Sequence, residues 1–113
     1  MLKKTRRVKR SLFSRVFRPG NTLSSPHVTL RDVPAKGETA KFSFVASKAV
    51  AKKAVDRNLL RRRGYAIVDK FKNVLPGGHI YLFFFKKGAK EISYPHLKEE
   101  IINLFIKAGL LPK

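Results

Sequence analysis

Seven cations, Lys48, Lys52, Lys53, Arg57, Arg61, Arg62 and Arg63, fall within the segment SKAVAKKAVDRNLLRRR at residues 47–63, with Asp56 as its sole acid. Guanidinium forks bind phosphate oxygens in pairs, and an amide such as that of Asn58 both donates and accepts at a sugar or base edge. Ala, Val and Leu are interleaved with these cations at helical spacing, so the run carries a packing face as well as charge. At ~100° per residue, Arg57, Asn58, Arg61, Arg62 and Tyr65 share one arc of a helix. The i,i+4 pair Arg57 and Arg61 costs about a few tenths of a kcal/mol in like-charge repulsion, and a merely solvated face would intersperse Glu. The arc therefore reads as a folded surface for a polyanion. RNA and DNA fit it equally well.

The residues needed for catalysis are sparse by comparison. There are seven acids, three of which (Glu91, Glu99 and Glu100) lie near the C-terminus, so no carboxylate set for two-metal chemistry is evident. His27, His79 and His96 are widely separated and lack HxxxH spacing, which predicts neither an acid–base pair nor a histidine metal site. The absence of cysteine excludes a thiolate nucleophile and disulfides, and fits a reducing compartment such as the cytoplasm. No catalytic residue and no metal ligand is expected in this chain.

Composition points the same way. The 113 residues suffice for one domain with a modest core. A net charge of +19, from 26 Lys and Arg against 7 acids, is most simply balanced by an anionic partner. Nucleic acid comes first and an anionic membrane surface second. The apolar content of 43% argues against a wholly disordered basic tail. No apolar run approaches the ~18 residues of a membrane span. The N-terminal MLKKTRRVKRSLFSRVF is basic and amphipathic, which would also suit a presequence or a helix lying on a membrane.

The elements that must position the cationic arc can be read from periodicity. Residues 1–10 form a basic arm, mobile when alone. Ser11 caps a short helix through Arg18 with Leu12, Phe13, Val16 and Phe17 as its apolar positions, stopped at Pro19-Gly20-Asn21. Residues 27–33 and 41–47 alternate as two half-buried strands, and the Pro- and Gly-containing stretch 34–39 reads as a hairpin loop between them. A long helix spans 53–74, burying Leu60, Gly64, Ile67, Phe71 and Val74. Gly64 lowers its propensity by about 1 kcal/mol, a cost that a close approach to the sheet would justify. After Pro76-Gly77-Gly78, the apolar HIYLFFF at 79–85 suits an interior strand covered on both sides. Ser93 caps a last helix with Pro95 in its first turn, a stripe of Leu97, Ile101, Leu104, Phe105 and Ala108, and a stop at Gly109. The order helix, strand, strand, helix, strand, helix predicts a single α+β domain over 1–113, a small two-layer sandwich with helices on one face of a sheet.

The segment from Phe44 to Arg62, with Ser47-Lys48, Ala54-Val55 and Arg57-Asn58 at its heart, resembles the signature of the protein subunit of bacterial ribonuclease P. That family carries a Ser-Lys-Lys-Val turn, an Ala-Val pair and an Arg-Asn-Arg-x-Lys-Arg helix start. Phe13, Val16, Phe17 and Gly20 match its F-x-x-V-F-x-x-G pattern, and the element order agrees over nearly the whole chain. Three positions depart from it. Leu59 stands where the family usually has the second Arg of Arg-Asn-Arg, Ala49 where it has the second Lys, and Tyr65 where Arg is common.

The resemblance implies a fold like domain 2 of ribosomal protein S5, with a central mixed sheet and a left-handed βαβ crossover, against the usual preference. It implies a protein that aids endonucleolytic removal of the 5′ leader of precursor tRNA, with catalysis and magnesium ions held by the RNA subunit. Lys48, Lys52, Lys53, Arg57, Asn58, Arg61, Arg62 and Tyr65 would then contact that RNA, Tyr65 by stacking or through its hydroxyl. Phe13 and Phe17 would present aromatic faces to the single-stranded leader between the first helix and the sheet, with Lys41 and Arg31 nearby; ordinary core packing is the alternative for both rings. The expected assembly is one protein monomer with one RNA, away from membranes. A ribosomal protein or general RNA chaperone matches the charge and size, but not the ordered Phe, Ser-Lys and Arg-Asn motifs.

Overall fold

A computed structural model of the chain describes residues 21–34, 37 and 39–111. Its centre is the strand that is apolar on both faces. In chain order the strands are β1 (Asn21–Ser24), β2 (Val28–Pro34), β3 (Lys41–Val45) and β4 (His79–Phe85), and they lie side by side as β1-β2-β4-β3. β1–β2 and β2–β4 are antiparallel, whereas β3 runs parallel to β4. The parallel pair is joined through helix α1 (Ala54–Asp69), and a 3-10 turn (Ala89–Glu91) leads from β4 to helix α2 (Tyr94–Lys107). The sheet is thus mixed and the class α+β, as expected.

Alternation along the strands sends the two sets of side chains to opposite faces. Leu30, Phe83 and Phe44 stand in register across three strands, with Asp32, Tyr81 and Phe42 as the neighbouring row. The rings of Phe44 and Phe83 stack at 4.5 Å, and Phe105 of α2 meets Tyr81 and Phe83 edge-on at 5.7 and 5.6 Å. Leu60, Ile67 and Val68 of α1 and Leu97, Ile101 and Leu104 of α2 close this face. On the opposite face Val33, Ile80 and Leu82 are buried as well. Burial on both sides accounts for the nearly continuous apolar run of β4.

Gly64 is where α1 touches the sheet. A Cβ at this position would lie 2.4 Å from Cδ1 of Phe44, inside van der Waals contact. The close approach offsets the helix propensity that glycine lacks. This contact seats the basic helix directly on β3.

Three expectations need correction. β2 and β3 do not form a hairpin, because β4 lies between them. An interior β4 among three expected strands already required its two neighbours to be apart, so the hairpin reading conflicted with the apolar pattern of HIYLFFF. β1 was absent from the sequence reading, where Asn21 appeared only as a helix stop; its Leu23 pairs with Leu30 and packs on the core. α1 ends at Asp69 rather than at 74. Tight bonds from Lys70 N–H to the Ile67 carbonyl and from Phe71 N–H to that of Val68 wind the chain out of the helix. Leu75 is buried at 6% exposure, whereas Val74 is 64% exposed. The expected arm, the first helix and its Phe13 and Phe17 lie outside the described residues.

Candidate nucleic-acid interface

The cationic run starts where β3 leaves the sheet. Ala46 and Ala51 are buried on either side of a turn, and the N–H groups of Val50 and Ala51 both donate to the Ser47 carbonyl, at 3.1 Å each. This closed turn leaves Lys48, Ala49, Lys52 and Lys53 exposed between two anchored alanines. Lys53 is the N-cap of α1 and makes no side-chain cap bond. Asp56 in the first turn suits the positive end of the helix dipole and pairs with Lys90 at 3.3 Å.

Arg57 does a different job from its neighbours. Its Nη1 donates to the carbonyls of Ala51 and Lys52, at 2.9 and 2.7 Å. The guanidinium thus folds back and ties the lysine turn to the helix it precedes. Arg61 donates through Nη2 to Oδ1 of Asn58, which orders two side chains of the arc side by side. Arg62 is exposed and Arg63 half-buried.

Tyr65 marks the inner border of the arc. It is half-buried, its ring meets Phe44 edge-on at 5.1 Å, and its hydroxyl oxygen accepts from the Phe44 N–H at 3.4 Å. The ring therefore braces α1 against β3 at the base of the cationic surface. Leu59 is 42% exposed and Val55 63%, an apolar pair one turn apart on α1. Leu59 is not needed by the core.

The structure adds residues that the sequence reading passed over. Lys87, Gly88, Lys90 and Glu91, from the loop after β4, face 49–53 and Asp56 across a concavity of about 400 Å³. The signal was present as KKGAK at 86–90, but only the topology returns this segment to the lysine turn.

A second polar cluster joins the β1–β2 turn to α2. Glu100, only 6% exposed, accepts from Ser25 Oγ at 2.6 Å and from the His27 N–H at 2.9 Å through Oε1. Its Oε2 lies 2.6 Å from His27 Nδ1 and 2.9 Å from His96 Nε2. Burial pushes this carboxyl up, but the hydrogen bonds from Ser25 and His27 and the His27 charge outweigh burial and hold it below the usual carboxylate range. Histidines that looked isolated in sequence are thus brought together here. Near the other end of the sheet, His79 Nδ1 pairs with Asp32 at 2.7 Å, and burial together with Asp32 pushes the Tyr81 hydroxyl up. No helix among the described residues is long and apolar enough to cross a membrane.

Comparison with known proteins gives concordant results. A family model described as Ribonuclease P matches residues 1–109. The ribonuclease P protein component of Microcystis aeruginosa is 30% identical over 103 residues, covering 88% of this chain and 86% of its own length. That of Chloroflexus aurantiacus is 33% identical over 101 residues, covering 88% and 74%. Among solved structures, the RNase P protein of Staphylococcus aureus superimposes with a TM-score of 0.81 at 16% identity, covering 96% of this chain and 98% of that one. The RNase P protein of Thermotoga maritima gives 0.75 at 22% identity, with 87% and 93% covered. At these identities the structural matches speak for the fold alone.

Proposed function

Since the chain belongs to the ribonuclease P protein family, we propose that it serves the holoenzyme through the cationic surface of residues 48–62. Its partner is the ribonuclease P RNA, and the complex processes the 5′ end of transfer RNA. The observation that carries the finer reading is the placement of Lys48, Lys52, Lys53 and Arg62, exposed on a turn and helix whose other sides are anchored in the core. Because the backbone of the turn is already fixed, only the cationic side chains have to be ordered on RNA phosphates, and each contact releases condensed counterions. In this reading Asn58 and Arg61 act as an ordered pair at a sugar or phosphate edge. Arg57 holds the turn in shape beside the RNA, and Tyr65 supports the edge of the contact.

The single-stranded 5′ leader of precursor tRNA is assigned to the half-buried Arg31 and Lys41, which flank the buried Val33, Ile80 and Leu82 on the sheet face opposite α1 and α2. Arg31 and Lys41 stand on that face by register, and the Arg31 guanidinium lies 6.0 Å from the centre of the Phe84 ring. Phe13 and Phe17 would add stacking platforms at about 1–3 kcal/mol per base.

Hydrolysis of the phosphodiester is assigned to the RNA with its magnesium ions. Asp32 is engaged by His79, Asp56 by Lys90 and Asp69 by Lys72. The three potential metal ligands that the described residues bring together, His27, His96 and Glu100, include a single carboxylate, unlike the oxygen-rich coordination that magnesium takes. We assign one protein to one RNA, in the cytoplasm. Reconstitution tests the reading: the protein should lower the magnesium or salt that a cognate RNA subunit needs to cleave precursor tRNA. No effect would reject it, and cleavage by the protein alone would mean that the chain is itself a nuclease.

A further inference from the structure

We propose that His27, His96 and Glu100 form a site for a divalent transition metal of the zinc class, with water in the remaining position. Nδ1 of His27, Nε2 of His96 and a Glu100 carboxylate oxygen all lie within 4.8 Å of one another. Both ring nitrogens already converge on the same oxygen, Oε2, at 2.6 and 2.9 Å. Around a tetrahedral zinc with bonds of about 2.0 Å, donor atoms stand about 3.3 Å apart, so admission of the ion requires each imidazole nitrogen to move away from Oε2 by less than about 1 Å. Two imidazoles and one carboxylate form a nitrogen-rich set that suits zinc and disfavours magnesium or calcium, which take oxygen.

The surroundings are those of a prepared site. Glu100 is held from behind, through its other oxygen, by Ser25 Oγ and the His27 N–H. Such outer contacts keep a ligating carboxylate aimed at a metal. Gly88 backs the His27 ring: a Cβ there would stand 3.2 Å from His27 Cδ2, and its φ of +93° suits glycine. The His96 side chain is 53% exposed, leaving a path for the ion and for a water ligand.

To ligate the ion, each ring gives up any proton on its coordinating nitrogen, to the opposite ring nitrogen if the ring is neutral and to solvent if it is charged. The ion would join the β1–β2 turn to α2, stapling the two ends of the described chain. The site lies outside the cationic surface proposed for RNA and does not depend on it.

The test uses the full chain, stripped with a chelator and titrated with Zn(II) by calorimetry against a competing chelator. One ion per chain is expected, with Co(II) giving the intense visible bands of a four-coordinate centre. His96→Ala, at an exposed position, should fold normally by circular dichroism and lower the Zn(II) affinity at least about tenfold. His79→Ala should leave the affinity unchanged. The proposal is overturned if the wild type takes up no stoichiometric Zn(II), or if His96→Ala binds as tightly as the wild type.

Discussion

The turn and helix start at 47–63 and the cluster around Glu100 are the two polar regions of this molecule that invite a functional reading, and they are built on opposite plans. In the first, most of the cations face solvent and few have protein partners beyond the Arg57 and Arg61 bonds. In the second, a buried carboxylate is engaged by a serine, a main-chain N–H and two histidines. Exposed charge without internal partners is available to another molecule at little cost to folding. A buried and fully bonded charge is part of the fold, and its removal leaves donors stranded.

The sharpest break of this contrast is Glu100→Ala. It should cost about 3 kcal/mol in chemical denaturation, because Ser25 Oγ and the His27 N–H and ring lose their acceptor in a partly buried setting. A loss comparable to that of a surface substitution would show that the cluster is only an ornament of the surface. Next comes Gly64→Ala beneath the basic arc. The added Cβ meets a Phe44 ring already stacked on Phe83, so overpacking outweighs the gain in helix propensity and the net loss should be about 1–2 kcal/mol.

Arg57→Ala distinguishes two kinds of arginine within one arc. Loss of its bonds to the Ala51 and Lys52 carbonyls should lower stability by about 1 kcal/mol, and RNA binding should weaken as the turn loosens. Arg62→Ala should leave stability within about 0.5 kcal/mol, and equal losses for the two would erase the distinction. The smallest effect on folding is expected for Leu59→Arg. At this exposed position a new cation should leave the melting temperature almost unchanged and steepen the salt dependence of RNA binding by about one phosphate contact. An unchanged slope would place Leu59 outside the RNA footprint.

The contrast also explains what could be read from sequence. The cationic arc was legible because its members are neighbours in the chain and repeat with the helix. β4 and α2 were legible for similar reasons, one through an unbroken apolar run and the other through Ser93, Pro95 and its apolar stripe. The Glu100 cluster was hidden, since His27 and His96 meet only when α2 packs beside the β1–β2 turn. The hairpin error arose from treating adjacency in the chain as adjacency in the sheet, although β4 needed two neighbours. The four residues of β1 carry too little alternation to announce a strand, and only pairing with β2 defines them. The turns after Asp69 preserve helical spacing in sequence while leaving the helix, which is why Val74 looked like a core residue.

The central claim, that the exposed cations of the lysine turn and α1 bind ribonuclease P RNA through phosphates, is tested most directly by salt titration. Affinity for the cognate RNA should be measured from low to moderate salt for the wild type and for the Lys52→Ala, Arg62→Ala double variant. The account predicts weaker binding and a slope of log affinity against log salt shallower by about 2, with the melting temperature preserved. An unchanged slope and affinity in a folded double variant would contradict it.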